Sequence, residues 1–167
     1  MITWRINYYT LSWPRSGDIV NAFEKENCMP SKVSVAEANA YLIENFESVS
    51  TRSNVDLMAE GRAVMSLTAR PEHLRPGGYI SGPTQMSIAD SAAYMAVMTR
   101  IGIVPMAVTS NLNINFLRPC IGDAVIADAR LIKLGRTLAV IDVDIKARGS
   151  DKTASHAMVT YAIPQEQ

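Results

Sequence analysis

Hydrophobic positions along the chain follow two different periods, and the change between them separates predicted helices from predicted strands. At residues 35–46 apolar side chains recur every three or four positions, which predicts a short amphipathic helix. It begins with Ser34-Val-Ala-Glu37, which has the spacing of a capping box. In this motif the side chains of the first and fourth residues each accept a hydrogen bond from the other residue's amide. The apolar residues of the predicted buried face are Val35, Ala38, Leu42 and Phe46.

A second segment predicts a long buried helix in the middle of the chain. Residues 84–98 are rich in Ala and Met and apolar on nearly every side, as is typical of a helix that is buried all round. Pro83 suits the first helical position, because an amide hydrogen there has no partner within the helix, and Gly102 suits the end. The preceding stretch, residues 71–83, is rich in Gly and Pro and is predicted to be a loop.

Six segments with a period of two and frequent β-branched residues predict strands. Two precede the long helix and meet at Gly61, and four follow it, with short turns at Gly135 and at residues 149–151. The predicted strands are 55–60, 62–70, 105–119, 123–134, 136–148 and 152–163. In the third of them, one side is predicted to carry Ser110, Leu112, Ile114 and Phe116, and the other Thr109, Asn111, Asn113 and Asn115.

The order of these elements predicts an α+β fold, with one antiparallel sheet wrapped around one long central helix. A parallel sheet would need a helix between successive strands, whereas here four strands follow one another directly. The chain has 167 residues, 48% of them hydrophobic, enough to bury a sizeable core as a single domain, which we assign to residues 31–167. Residues 1–30 show no sustained period and form a predicted extension of unknown role. One hypothesis is that the natural chain starts at Met29.

Composition and charge exclude several classes of function. Sixteen Lys and Arg balance sixteen Asp and Glu, so the chain lacks the positive field that general nucleic-acid binding requires. No apolar run reaches the length of a membrane span, and the first 20 residues lack the apolar core of a secretory signal. Cys28 and Cys120 belong to no metal-binding spacing. We therefore expect a cytoplasmic protein with no bound metal and no nucleic-acid or membrane partner. Only 19% of the residues are charged, a low fraction for a single soluble domain, so we expect part of the surface to be covered in a homo-oligomer.

Asp90 is the residue whose surroundings most strongly indicate chemistry. It lies in the most apolar helix, where an unpartnered carboxylate is costly, and such groups concentrate at functional sites. The loop before this helix leads to its N-terminus, where amide hydrogens favour an anion such as the oxyanion formed by attack on a carbonyl. From the residues alone, two other readings stay open: a carboxylate bonded to backbone amides at a subunit boundary, and a glycine-rich turn that binds nothing.

The segment from Arg75 to Ala93 is similar to the signature of a known family. It reads Arg-Pro-Gly-Gly-Tyr-Ile-Ser-Gly-Pro-Thr-Gln-Met-Ser-Ile-Ala-Asp-Ser-Ala-Ala and resembles the hot-dog-fold acyl-CoA thioesterases of the phenylacetate-degradation (PaaI-like) type. In these proteins a glycine-rich loop enters a long central helix that carries an acidic residue. The resemblance extends from about Val35 to Ile163. It implies a hot-dog fold, hydrolysis of acyl-CoA to a free acid and coenzyme A without a cofactor, and a homodimer or dimer of dimers with active sites between subunits.

Carried onto this sequence, the resemblance assigns three catalytic groups. It makes Asp90 the carboxylate that activates water or attacks the thioester carbonyl, the Gly82 amide the oxyanion donor, and Thr109 the hydroxyl that orients the water or the carboxylate. The candidate substrate-binding residues are Ser81, Arg75, Gly78, Pro83 and Asn111. The chain departs from the family at Ser81, where a histidine is usual, and at Arg75, where many members have Asn.

Two other functions stay open from the sequence: a hydratase or dehydratase of 3-hydroxyacyl thioesters, and a non-catalytic acyl-CoA-binding sensor. We interpret His73 as a capping or exposed histidine and His156 as a hydrogen-bonded strand residue. Asp142 and Asp144 are interpreted as part of a surface charge lattice. The candidate cations for the phosphates of coenzyme A are Arg118, Lys133, Arg136 and Arg148.

Overall fold

The computed structural model describes residues 30–46 and 53–164. The predicted extension, apart from Pro30, and the hypothesis on Met29 lie outside these residues. No helix in the described ranges is long and apolar enough to cross a membrane.

Two α-helices and eight strands are found in the described part of the chain, and both helices and six of the strands follow the predicted order. They are α1 (Val35–Asn45), β1 (Ser53–Ala59), β2 (Arg62–Thr68), β3 (Leu74–Arg75), β4 (Tyr79–Ile80), α2 (Gly82–Ile101), β5 (Val108–Phe116), β6 (Ala124–Leu134), β7 (Leu138–Ala147) and β8 (Ser155–Ala162). A 3-10 turn, Pro71–His73, precedes β3.

Six of the strands form one antiparallel sheet, in the order β1-β2-β6-β7-β8-β5. Strands β6, β7 and β8 are a meander joined by the predicted turns, while β5 pairs with β8 at one edge. Helix α2 lies across the sheet and contacts all six strands. Its residues from Ala92 to Met98 are buried, which agrees with the all-round apolar pattern. The predicted α+β arrangement of one sheet around one central helix is therefore confirmed.

Helix α2 begins one residue earlier than predicted. Ser81 is its N-cap, with a side chain that accepts from the Thr84 amide at 3.4 Å, and Gly82 is the first helical residue. Pro83 therefore stands at the second position, where an amide hydrogen also has no partner within the helix. Gly102 ends the helix as predicted, with a φ of +85° that favours glycine.

The segment predicted as a loop contains a small hairpin. Strands β3 and β4 pair at Leu74 with Ile80 and at Arg75 with Tyr79. The turn between them uses Gly77 at φ +96° and Gly78 at φ +77°, a backbone region that side chains disfavour. Strands of two residues are too short to show a hydrophobic period, so only the turn was visible in the sequence.

Helix α1 has the predicted capping box. The Glu37 amide donates to Ser34 Oγ at 3.2 Å, and the Ser34 amide donates to Glu37 Oε2 at 2.8 Å. The Ser34 hydroxyl also donates to Glu37 Oε2 at 2.7 Å, and this bond, followed by the one from the Ser34 amide, lowers the pKa of the Glu37 carboxyl. Only the middle of the predicted apolar face is buried, at Ala38 and Leu42. Its two end residues, Val35 and Phe46, are 36% and 39% exposed.

Replacing Ser34 with Ala should lower the free energy of unfolding by about 1 kcal/mol, because the N-cap acceptor of α1 is lost. Urea unfolding measures this, with Ser34→Thr as the matched control that keeps the hydroxyl. Equal stabilities of the Ala and Thr variants would contradict a capping role for Ser34.

Candidate active site

Asp90 lies near the middle of α2 and opens onto a cavity of about 350 Å³. Its side chain is half-buried rather than fully enclosed. We call this space the Asp90 cavity. It is lined by Leu42, Phe46, Ser87, Asp90, Ser91, Tyr94, Pro105, Ala107, Val108, Thr109 and Tyr161. Apart from the polar groups around Asp90, the walls are mainly aliphatic and aromatic.

A β-bulge in β5 directs Thr109 toward this cavity. Thr109 and Asn111 pair with the adjacent β8 residues Tyr161 and Thr160, so Ser110 is the extra residue of the bulge. The strict alternation predicted for this strand is therefore wrong at its start. The extra residue reverses the side on which the preceding side chains lie, and Thr109 faces inward with Leu112 instead of outward with Asn111.

Two hydroxyl groups hold the carboxylate of Asp90. Thr109 Oγ1 donates to Asp90 Oδ1 at 2.6 Å, and the Tyr161 hydroxyl donates to the same oxygen at 2.9 Å. The Tyr161 oxygen also lies 3.2 Å from the Asp90 backbone carbonyl. Within residues 30–46 and 53–164, no group donates to Oδ2. One carboxylate oxygen is thus held and the other is left for a ligand.

Tyr161 is the site residue that the sequence did not reveal. It is 4% exposed, and burial, followed by the negative charge of Asp90, raises the pKa of its phenol. The hydroxyl therefore stays protonated and remains a donor. The only available signal was its place on the last strand, which becomes informative once its pairing with Thr109 is known.

A set of aromatic rings forms the wall behind Tyr161. The ring of Tyr94 stacks on that of Tyr161, with centroids 5.5 Å apart and planes at 7°. The Tyr94 hydroxyl donates to the Val104 carbonyl at 3.0 Å and lies 3.1 Å from the hydroxyl of Tyr41. Phe46 packs edge-on against both Tyr41 and Tyr94. This packing fixes the rings that border the Asp90 cavity.

The N-terminus of α2 opens onto a separate, larger cavity of about 690 Å³, the Gly82 cavity. It is lined by Arg75, Pro76, Tyr79, Ile80, Gly82, Pro83, Gln85, Phe116, Leu117, Arg118, Pro119 and Cys120. The Gly82 amide donates to no group in the described ranges, and Pro83 has no amide hydrogen. A Cβ at Gly82 would lie 3.1 Å from Cζ of Phe116, so the residue leaves space for a close approach to the backbone.

The other predicted substrate-binding residues take different positions. Arg75 and Pro83 line the Gly82 cavity, whereas Ser81 caps the helix and Gly78 forms the β3–β4 turn. Asn111 is exposed on β5, on the side away from Thr109, and borders neither cavity. Its predicted role therefore has no support within a single chain.

Gly82 and Asp90 cannot act on one carbonyl within one chain. They are eight residues apart on the same helix, which is about 12 Å along its axis. Each lines its own cavity.

The remaining predicted candidates lie away from Asp90. His73 is 5% exposed, so the alternative of an exposed histidine is wrong. Its Nδ1 accepts from the Arg70 amide at 3.0 Å, which confirms a capping role, and Nε2 has no hydrogen-bond partner among the described residues. Two of the cations predicted to contact the phosphates of coenzyme A lie in different places. Arg118 lines the Gly82 cavity, whereas Nη1 of Arg148 lies 4.0 Å from Oδ2 of Asp123.

The predicted charge lattice lies on the outer face of the sheet. His156 is hydrogen-bonded to Asp142, which confirms it as a bonded strand residue. Asp128 on β6, the cross-strand partner of Asp144, is buried within this group: it is 4% exposed and accepts two 2.9 Å bonds from Arg62 and one 2.7 Å bond from Arg130. In the described ranges, no three His, Cys, Asp or Glu residues are grouped so that they could hold a metal ion.

Comparison with known proteins identifies the family. The model of the thioesterase superfamily matches residues 77–154, which include the second half of the glycine-rich loop with Gly82, and also Asp90 and Thr109. A crystal structure described as a "putative thioesterase" from Silicibacter sp. TM1040 is 35% identical, with a TM-score of 0.76 over 83% of this chain and 97% of that one. The PaaI protein from the phenylacetic acid degradation operon of E. coli is 25% identical, with a TM-score of 0.67 over 79% and 97% of the two chains.

A curated relative gives the same result. Human acyl-coenzyme A thioesterase 13 is 26% identical over 65% of this chain and 77% of its own length. The sheet wrapped around α2 is the hot-dog fold that the resemblance implied. Together with the structural neighbours, these matches support hydrolysis of a thioester. The chain belongs to the thioesterase superfamily.

Proposed function

We propose that this protein hydrolyses acyl-CoA thioesters to a carboxylic acid and coenzyme A, with Asp90 as the catalytic carboxylate. The observation that carries the proposal is the arrangement at Asp90, where Thr109 and Tyr161 both donate to Oδ1 and Oδ2 accepts no bond from a described residue. A carboxylate that is oriented in this way beside an apolar cavity is suited to act as a general base or a nucleophile.

The proposed reaction balances without a metal or an organic cofactor. Asp90 takes a proton from water while the water oxygen attacks the thioester carbonyl, and the Gly82 amide donates to the oxyanion that forms. The carbon–sulfur bond then breaks, and the thiolate of coenzyme A leaves and takes from Asp90 the proton that came from the water. In the alternative, Asp90 attacks the carbonyl itself, an anhydride forms as the thiolate is expelled, and water then hydrolyses the anhydride to the carboxylic acid and frees Asp90.

The proposal requires two subunits. Gly82 and Asp90 can reach the same carbonyl if the N-terminus of α2 in one copy lies beside the middle of α2 in a second copy. Strand β5 is the sheet edge nearest Asp90, and most of its side chains are exposed, with Val108 at 56% and Phe116 at 52%. Pairing of this edge with its copy would cover apolar surface and satisfy its free backbone groups.

Recognition of the coenzyme A part is proposed for the Gly82 cavity. Arg75 and Arg118 line it and carry guanidinium groups suited to phosphate, and the human relative is named for acyl-coenzyme A. The acyl group would extend from Gly82 toward the Asp90 cavity of the partner. Ser81, in place of the family histidine, would hold the start of α2 and so position the Gly82 amide.

Release of coenzyme A tests the proposal. The purified protein is assayed with short, medium, long and aromatic acyl-CoAs, and the thiols of its two cysteines are subtracted. We expect release from at least one class of substrate. Loss or gain of enoyl-thioester absorbance without release would indicate the hydratase alternative. Saturable binding without either reaction would indicate a sensor.

A further inference from the structure

The two hydroxyl donors at Asp90 come from a single pair of opposed residues. Thr109 on β5 and Tyr161 on β8 are cross-strand partners, so their side chains lie on the same face of the sheet and reach the same carboxylate. Both bonds end on Oδ1. A carboxylate held at one oxygen cannot rotate to exchange its two oxygens without breaking both bonds.

We propose that Tyr161 is a positioning residue, which fixes the Asp90 carboxylate so that Oδ2 is the oxygen presented to the attacking water or to the thioester. This inference rests on the proposed function, since it assigns a reactive oxygen to the catalytic carboxylate. It adds a residue on the last strand and outside residues 77–154, which the family model matches.

Tyr161 is better suited than Thr109 to hold the carboxylate in place. The Thr109 side chain lies on an exposed edge strand, whereas Tyr161 is 4% exposed and its strand is paired on both sides, with Thr109 and with Ala139. Its ring is stacked on Tyr94, whose own hydroxyl is bonded to the Val104 carbonyl. A phenol has few rotatable bonds, so little freedom is left to its hydroxyl oxygen.

The variant Tyr161→Phe isolates the contribution of this bond. The ring and its stacking on Tyr94 are kept, but Asp90 loses one charge-assisted bond and one restraint on its orientation. The carboxylate then presents Oδ2 to the substrate in the reactive orientation for a smaller fraction of the time.

The test compares kcat and KM of Tyr161→Phe with those of the parent protein. We expect kcat to fall about tenfold to a hundredfold while KM stays within about twofold, because the acyl-CoA still binds but the carboxylate is less well oriented. The control is Thr160→Val, which removes a hydroxyl from the residue next to Tyr161 on β8, on the side of the sheet away from Asp90. Its kcat and KM should be those of the parent.

The outcomes separate this inference from the proposed function. An unchanged kcat in Tyr161→Phe, or a KM that rises by as large a factor as kcat falls, would overturn the positioning role while the acyl-CoA hydrolase stands. No release of coenzyme A by the parent protein would overturn the proposed function itself, and full activity of Asp90→Asn would overturn Asp90 as its catalytic carboxylate.

A second variant keeps the inference testable if Tyr161→Phe does not fold. Thr109→Val leaves Tyr161 as the remaining donor to Oδ1, so we expect it to retain at least about a tenth of the parent kcat, because the phenol still holds the oxygen. A kcat as low as that of Asp90→Asn would show that Thr109, and not Tyr161, orients the carboxylate.

Discussion

Replacement of Asp90 with Asn should lower the rate of acyl-CoA hydrolysis about a thousandfold, mainly through kcat. Asn keeps the size of the side chain and one oxygen, which can still accept from Thr109 and Tyr161. The second oxygen becomes an amide nitrogen, which can neither take a proton from water nor attack a carbonyl. The substitution therefore removes the chemistry at Oδ2 and leaves the bonds at Oδ1.

The measurement is the rate of coenzyme A release at a series of concentrations of one acyl-CoA. Circular dichroism and thermal unfolding of each variant show whether it is folded. Asp142→Asn is the matched control, because it makes the same chemical change at a carboxylate on the outer face of the sheet, bonded to His156. We expect its kcat to equal that of the parent. Full activity of Asp90→Asn would rule out the carboxylate mechanism in both of its forms.

The two helices and the six longer strands could be predicted because each has a hydrophobic pattern long enough to be recognised. Helix α2 is apolar all round over residues 84–98, and α1 has both halves of a capping box. The β3–β4 hairpin could not be predicted, because two-residue strands have no period. Here the positive φ angles of Gly77 and Gly78 are visible only in the structure.

The candidate site shows a different limit. Asp90 was found because a carboxylate in an apolar helix conflicts with the local pattern. Thr109 was assigned through the family resemblance, and strict alternation placed it on the wrong side of β5. The bulge at Ser110 that corrects this depends on pairing with Thr160 and Tyr161, a contact about 50 residues away along the chain. Tyr161 was missed for the same reason, since its role depends on what lies opposite it.

Replacement of Gly82 with Pro should lower kcat about a hundredfold or more, because it removes the amide hydrogen proposed to donate to the oxyanion. A proline is tolerated at the first helical position, and Ser81 before it, at φ −67° and ψ 154°, has a conformation that proline accepts. Gly82→Ala is the matched control. It adds the same Cβ next to Phe116 but keeps the amide hydrogen. Equal rates for the two variants would exclude this amide as the oxyanion donor.

Mixing the two inactive variants tests whether the site is shared between subunits. If each site takes Asp90 from one copy and Gly82 from the other, a dimer of one Asp90→Asn chain and one Gly82→Pro chain has one intact site and one site with both defects. Random pairing at equal amounts then restores about a quarter of the parent activity, since half of the dimers are mixed and each has one working site. A site contained within one chain predicts no recovery, because every chain carries a defect.

Co-expression with two affinity tags isolates the mixed dimer, whose activity should be about half that of the parent. The control is a mixed dimer of the parent chain and a chain that carries both substitutions. If the sites are shared, each site of this dimer contains one substituted residue, so the dimer should be inactive. If each site lies within one chain, the dimer should have half of the parent activity.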